Sequence, residues 1–185
     1  MSTQSNLYKN IKTILSRWGF SKQGLVRNTK GEWYLFFQIL LILLHFAPPY
    51  PKIEHLGLST NIFFIIIGLT LSIQGLIIVI KAFLDLGDNL TPLPYPMNDS
   101  VLIKSKSYQN SRHPLYKGIL FISLGICLLS LSLIHLILLI LLSYTLKRKA
   151  LKEEKRLKIK FPEYKKYIEE VPAIIEKIKY LDWRS

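Results

Sequence analysis

The stretch 115-LYKGILFISLGICLLSLSLIHLILLILLSYTL-146 is apolar over 32 residues, with Lys117 its one charged side chain. As a single helix it would run about 48 Å at about 1.5 Å per residue, against roughly 30 Å of hydrocarbon in a bilayer. Two short helices fit that thickness, and the polar break 130-SLSLIH-135 marks where a hairpin turns. The alternative is one steeply tilted helix, since Ser and His are tolerated inside membrane spans.

Two more apolar runs precede this one. Ile62–Leu84 is long enough to cross outright, and its Gly68 and Gly75 lie seven apart on one face, where small residues admit a close neighbouring helix. Trp33–Ala47 covers only about 22 Å before 48-PPYP-51 ends it. The expected fold is an all-α integral membrane protein of about four transmembrane helices, between three and five. It ends in a C-terminal helical hairpin and a basic, cytoplasm-side tail. Three regions result: residues 1–31, a basic amphipathic segment; 32–84, two membrane helices; and 85–185, the connector, hairpin and tail.

Half the residues are hydrophobic, yet 25 Lys+Arg face 12 Asp+Glu, a formal charge of +13. The two classes are segregated along the chain rather than interspersed, as in a membrane protein and unlike a soluble core. Six Lys/Arg precede the first acidic residue, Glu32, and Leu7, Ile11, Ile14 and Trp18 fall on one helical face. That pattern suits a helix lying on an anionic membrane surface; an organellar transit peptide has similar chemistry. No h-region of a cleavable signal peptide is apparent there. Cys127 is the one cysteine, so no intramolecular disulfide is expected.

The connector 85–114 contains 91-TPLPYP-96, whose alternating prolines favour a stiff, extended path. Asn98–Ser107 reads as disordered. In the tail, 147–160 reads as a helix continuing out of the last span, interrupted by Phe161-Pro162 before a second helix over 163–170. Lys/Arg number 6 before the first apolar run, 1 in Pro48–Ser59, 3 in 85–114 and 13 after Leu146. Four crossings with both termini on the cytoplasmic side put every basic segment in that compartment. The connector and tail then share one membrane face, where 112-RHP-114 and 153-EE-154 become neighbours.

With Thr91-Pro92-Leu93-Pro94, Arg112-His113-Pro114-x-Tyr116-x-Gly118, an apolar hairpin, Glu153-Glu154-x-x-Leu157, then Phe161, Tyr164 and Tyr167, the chain resembles a group of integral membrane methyltransferases. These are the isoprenylcysteine carboxyl methyltransferases and phospholipid N-methyltransferases. The resemblance covers roughly Leu86–Pro172. It implies an S-adenosylmethionine pocket in 85–185, held by His113, Pro114, Tyr116, Gly118, Glu153 and Glu154, with Arg148 and Glu153 at the reacting end. It further implies a lipophilic acceptor, foremost an isoprenylated cysteine carboxylate; a phospholipid or a small molecule is the alternative. Three positions depart from the family pattern: 106-KSYQN-110 keeps only Tyr108, Pro162 replaces a usual Gly, and a Pro is missing at 174-IIEKI-178.

The residue types suit those roles on their own chemistry. A Glu carboxylate suits an ammonium or ribose hydroxyls, Arg or His a carboxylate, and a tyrosine face a sulfonium or adenine. Gly118 admits either a cofactor or a neighbouring helix. A carboxylate acceptor needs no general base, so the lack of a catalytic triad is no objection. Each motif alone also has a plain structural reading: a basic flank before a helix-starting proline, or Glu154 in an i,i+4 pair with Lys158. His45, His55 and His135 have no second ligand at usable spacing, so no metal is expected. The basic tail suits membrane lipids rather than nucleic acid. The rival functions are a nicotinamide-dependent lipid reductase and a non-enzymatic membrane protein.

Overall fold

The computed structural model describes residues 15–51 and 57–184. Most of the amphipathic N-terminal stretch (Leu7, Ile11 and Ile14) and His55 lie outside the described residues. Helix accounts for 66% of the structure, with no strand among the described residues. The helices are α1 (Lys22–Arg27), α2 (Glu32–Leu44), α3 (Leu58–Leu86), α4 (Pro114–Ser130), α5 (Leu133–Lys160) and α6 (Tyr164–Glu170).

Among the described residues one helix, Thr60–Asn89, is long and apolar enough to cross a membrane; Glu32–Leu44 and Pro114–Ser130 are shorter apolar helices. Only 11% of the long helix's apolar window is buried within the protein. Ile66, Ile73, Ile80 and Leu84 all stand exposed along it. A continuous apolar surface of that kind is not left to water and calls for lipid.

α3 and α4 form the most extensive helix pair, and four glycines explain it. They run antiparallel with Gly75 opposite Gly118 and Gly68 opposite Gly125. A Cβ on Gly118 would fall 2.7 Å from the Gly75 carbonyl oxygen, and one on Gly125 2.5 Å from that of Gly68. The backbones approach closer than any side chain would allow.

The hairpin turns where the sequence breaks. Leu131 adopts a left-handed conformation (φ 44°) as C-cap of α4, and Ser132 precedes α5. Ser132 Oγ accepts from the Tyr50 N–H at 2.8 Å and donates to the Tyr50 carbonyl at 3.1 Å. Leu133 and Ile134 donate their N–H groups to Pro51 and Tyr50. The proline-rich loop after α2 thus satisfies donors that the first turn of α5 leaves orphaned. Beneath the tip, Leu138, Leu142, Leu146 and Ala150 form a stripe of α5 buried against Leu41, Leu120 and Ile174.

The segment expected to be disordered, 98–107, is instead pinned at both ends. Lys160 Nζ lies against the carbonyls of Met97, Asn98 and Ser100. Asp85 accepts from the Ser107 hydroxyl at 2.6 Å. The polarity read as disorder serves long-range hydrogen bonds. The proline stretch is placed as expected, with Leu93 1% exposed.

Candidate functional site

Pro114 sits in the first turn of α4, where it costs no hydrogen bond. The residues before it are stitched to the C-terminal segment of the tail. Arg112 N donates to Pro172 O and His113 N to Ala173 O, each at 2.9 Å. Ser111 Oγ donates to the same Ala173 carbonyl. This fixes Arg112 and His113 in the interior, facing the two glutamates of α5.

The glutamates divide their work. Glu154 is 4% exposed. Its Oε1 accepts from Arg112 Nε at 2.8 Å and His113 Nε2 at 3.0 Å, and its Oε2 accepts from the Trp183 indole at 2.8 Å. Burial alone would raise the Glu154 carboxyl, but the bonds and charges of His113 and Arg112 prevail and hold it at about 2. Glu153, about 100° around the helix, accepts from the Tyr116 hydroxyl at 2.9 Å and faces open space. Tyr116 stacks on His113, ring centroids 5.2 Å apart and planes 4° apart, and the Trp183 ring lies 6.0 Å from the imidazole, tilted 34° to it.

That space is a cavity of about 290 Å³ lined by Gln38, Arg112, His113, Tyr116, Lys149 and Glu153 among others, with Trp18 at its wall. A second chamber of about 80 Å³ adjoins it, and both are lined by Leu86, Thr91, Tyr108, Arg112 and Glu153. Leu157, Phe161 and Tyr164 wall the second chamber. Two residues of these walls carry a buried polar atom without a partner: Arg112 at Nη2 and Tyr164 at its hydroxyl. Buried donors in this condition are rare in folded proteins. Burial pushes the Tyr108, Tyr164 and Tyr167 hydroxyls far up, so all three remain neutral donors.

Lys149 is 3% exposed, donates to Gln38 Oε1 at 2.7 Å and lies 5.5 Å from the centre of the Tyr116 ring. Burial lowers its ammonium to about 8, with the Glu153 charge acting in the other direction. None of its ion-pair distances falls within salt-bridge range of an acidic group among the described residues.

Of the residues expected from sequence, the fold brings His113, Tyr116 and Glu153 onto the cavity. Pro114 and Glu154 lie behind it in the supporting interior. Gly118 does not face it: its open side meets Gly75 and Val79 of α3. Arg148 is exposed and does not line the cavity; Lys149 does. The reason is helical phase, since Lys149 is four residues before Glu153 and shares its face, whereas Arg148, five before, lies about 140° away. Arg112 and Tyr164 stand in the family motif without an expected site role, and Lys149 and Trp183 are not part of it. The i,i+4 spacing from Glu153 was the available signal for Lys149, while nothing local marks Trp183.

These features define a helical membrane protein with a polar, partly enclosed site at one end of an apolar hairpin, built from an Arg-His pair and a Glu pair. A model of the phospholipid methyltransferase family matches residues 63–163, more than half of the chain. The chain belongs to that family, and methyl transfer at a membrane is the activity that membership carries. No curated protein and no solved structure matches it. The match spans α3 to α5 and contains Arg112, His113, Tyr116, Lys149, Glu153 and Glu154; Trp18, Gln38, Tyr164 and Trp183 come from outside it.

Proposed function

We propose that the protein transfers a methyl group from S-adenosylmethionine to the headgroup of a membrane lipid at the Glu153 cavity. The observation that carries this reading is the Arg112 Nη2 donor, buried and unpartnered on a residue that lines both chambers. A cofactor carboxylate would accept from it, and ribose or adenine acceptors suit the Tyr164 hydroxyl. Leu157 and Phe161 supply an apolar wall for a planar base. When bound, the cofactor supplies an electrophilic methyl group on a sulfonium.

The chain's own residues have separable tasks. Glu154 holds Arg112 and His113 in place, and Trp183 holds Glu154. Glu153, fixed by Tyr116, lies where the two chambers adjoin; with Lys149 it takes the reacting-end role first expected for Arg148 and Glu153. Lys149, desolvated and held by Gln38, attracts an oxyanion. A phospholipid phosphodiester and the carboxylate of an isoprenylated cysteine both carry one. The family match favours the phospholipid, whose protonated amine must lose a proton, and Glu153 is the carboxylate positioned to take it. Walls that exclude water and fix the two partners in line contribute most to such a displacement.

The proposed topology has α2, α3, α4 and α5 to Leu146 crossing the bilayer, with both termini on the cytoplasmic side. The exposed apolar faces and the lysine and arginine counts support it. The test is radiolabelled methyl transfer into total lipid extract and into prenylated cysteine. Label in phosphatidylethanolamine-derived lipid supports the phospholipid reading, label in a methyl ester supports the carboxylate, and label in neither refutes both.

A further inference from the structure

Below the polar cavity the helices leave a second, different space. α2 and α4 both pack on α5 but scarcely on each other. A groove therefore runs between them with α5 as its floor. It opens into a cleft of about 120 Å³ lined by Ile42, Phe46, Ile119, Ile122, Ile126 and Leu142. Ile119 also lines the Glu153 cavity, so the two spaces lie on either side of that side chain. The deep end is crossed by a polar bridge. His45 of α2 accepts from the Ser123 hydroxyl of α4, while its other ring nitrogen donates to the Leu41 carbonyl at 2.7 Å. Both side chains are buried, at 6% and 2% exposure.

We propose that this groove seats one alkyl chain of the methyl acceptor, and that the His45–Ser123 bridge sets how deep the chain runs beside α4. The inference rests on the methyl-transfer reading and adds the acceptor's apolar half. Three features select this occupant. The lining is apolar, so water has no partners there. The volume matches about four water-sized groups, which admits a hydrocarbon segment and excludes a helix. Ile119, common to both linings, puts the chain's seat next to the cavity of Lys149 and Glu153, where a headgroup belongs. From Tyr116 to Ser123 the groove is about 10 Å long.

A chain moving from lipid into this groove gains little affinity, because both surroundings are equally apolar. Its effect is registration: it aligns the acceptor so that the headgroup arrives at the cavity in one pose. The bridge is suited to act as a stop, since both ring nitrogens of His45 are already engaged and Ser123 is held between two helices.

The experiment uses full-length protein in phosphatidylcholine vesicles doped with a phosphatidylethanolamine that carries a diazirine midway along one acyl chain. Irradiation and peptide mapping read where the chain lies. The result expected is labelling on Ile42, Ile119 and Ile122 at least fivefold above the exposed α3 face around Ile73. Ile119→Trp should remove most of it, Ile73→Trp should not, and Ser123→Ala should move label deeper, toward Ile126. Ile42→Trp serves if Ile119→Trp does not fold, and should likewise remove most of the label from Ile119 and Ile122. Groove labelling no stronger than the α3 face, and unchanged in the folded variants, overturns the proposal. S-adenosylmethionine binding by the same preparation is measured separately. A protein that binds the cofactor but lacks groove labelling loses this inference alone, whereas one that labels without binding the cofactor loses the methyl-transfer reading.

Discussion

Arg112 and Glu154 meet in the protein's interior across 42 positions of sequence, with Nε 2.8 Å from Oε1 and side-chain exposures of 0% and 5%. This pair joins the mouth of α4 to the C-terminal part of α5. Arg112→Met strands the carboxylate in a buried setting, and a loss of about 3–5 kcal/mol is expected. Arg112→Met combined with Glu154→Leu removes the stranded charge and should recover part of that loss. Thermal unfolding in detergent, followed by circular dichroism, measures both.

Glu154, held by His113 and Arg112, also sets an acid limit. The Glu154 carboxyl is held at about 2 in the fold, below its ordinary value of 4.5. Its contribution to stability is therefore complete above about pH 4.5 and is lost as pH falls toward 2. Glu154→Gln should flatten the stability profile over that window while lowering stability at neutral pH. Unfolding midpoints taken across pH 3 to 7 test this.

Glu153 and Glu154 should part company under mutation. Glu153→Gln leaves the buried network intact, so the protein should keep its unfolding midpoint and lose at least about tenfold in methyl transfer. Glu154→Gln should lower the midpoint first. Equal effects on both readouts would refute the division of work between them.

Gly118 offers a control for packing against chemistry. A Cβ there would meet Gly75 O at 2.7 Å and Val79 Cγ2 at 2.6 Å. Gly118→Ala should cost about 1–3 kcal/mol through overpacking. The fraction that remains folded should bind S-adenosylmethionine as tightly as the parent, which calorimetry at reduced temperature measures.

Lys149 gives a pH signature to acceptor binding. Its ammonium, lowered to about 8, loses its charge as pH rises through that value, and an anionic acceptor should then bind more weakly. KM for the acceptor should climb above about pH 8 in the parent and stay flat in Lys149→Arg, whose guanidinium keeps its charge. Unchanged KM in both would remove Lys149 from acceptor recognition.

The hairpin was legible because its signals are local: an apolar run too long for one crossing, and a polar break that coincides with the turn at Leu131 and Ser132. The approach of 112-RHP-114 to 153-EE-154 followed from that hairpin and the charge distribution. What the sequence leaves open is helical phase. Two adjacent glutamates point about 100° apart, and only the packed helices reveal that Glu154 turns inward and Glu153 outward. Arg148 came from the family resemblance, and helical phase puts Lys149 on the cavity instead. Gly118 was readable as a close-approach site, but Gly75 as its partner depends on how α3 and α4 register. The tail's pairing with Ser111–His113, and the reach of Trp183 to Glu154, are long-range contacts that no local pattern carries.

The central claim is that Arg112 and Glu153 border a pocket for S-adenosylmethionine. Titration calorimetry of the detergent-purified protein tests it most directly. The account predicts saturable binding of one S-adenosylmethionine per chain, retained in Ile73→Trp and weakened at least about tenfold in folded Arg112→Lys, which keeps the charge but loses the guanidinium fork. Absence of binding by the parent protein, or saturable binding of a nicotinamide cofactor in its place, would contradict it.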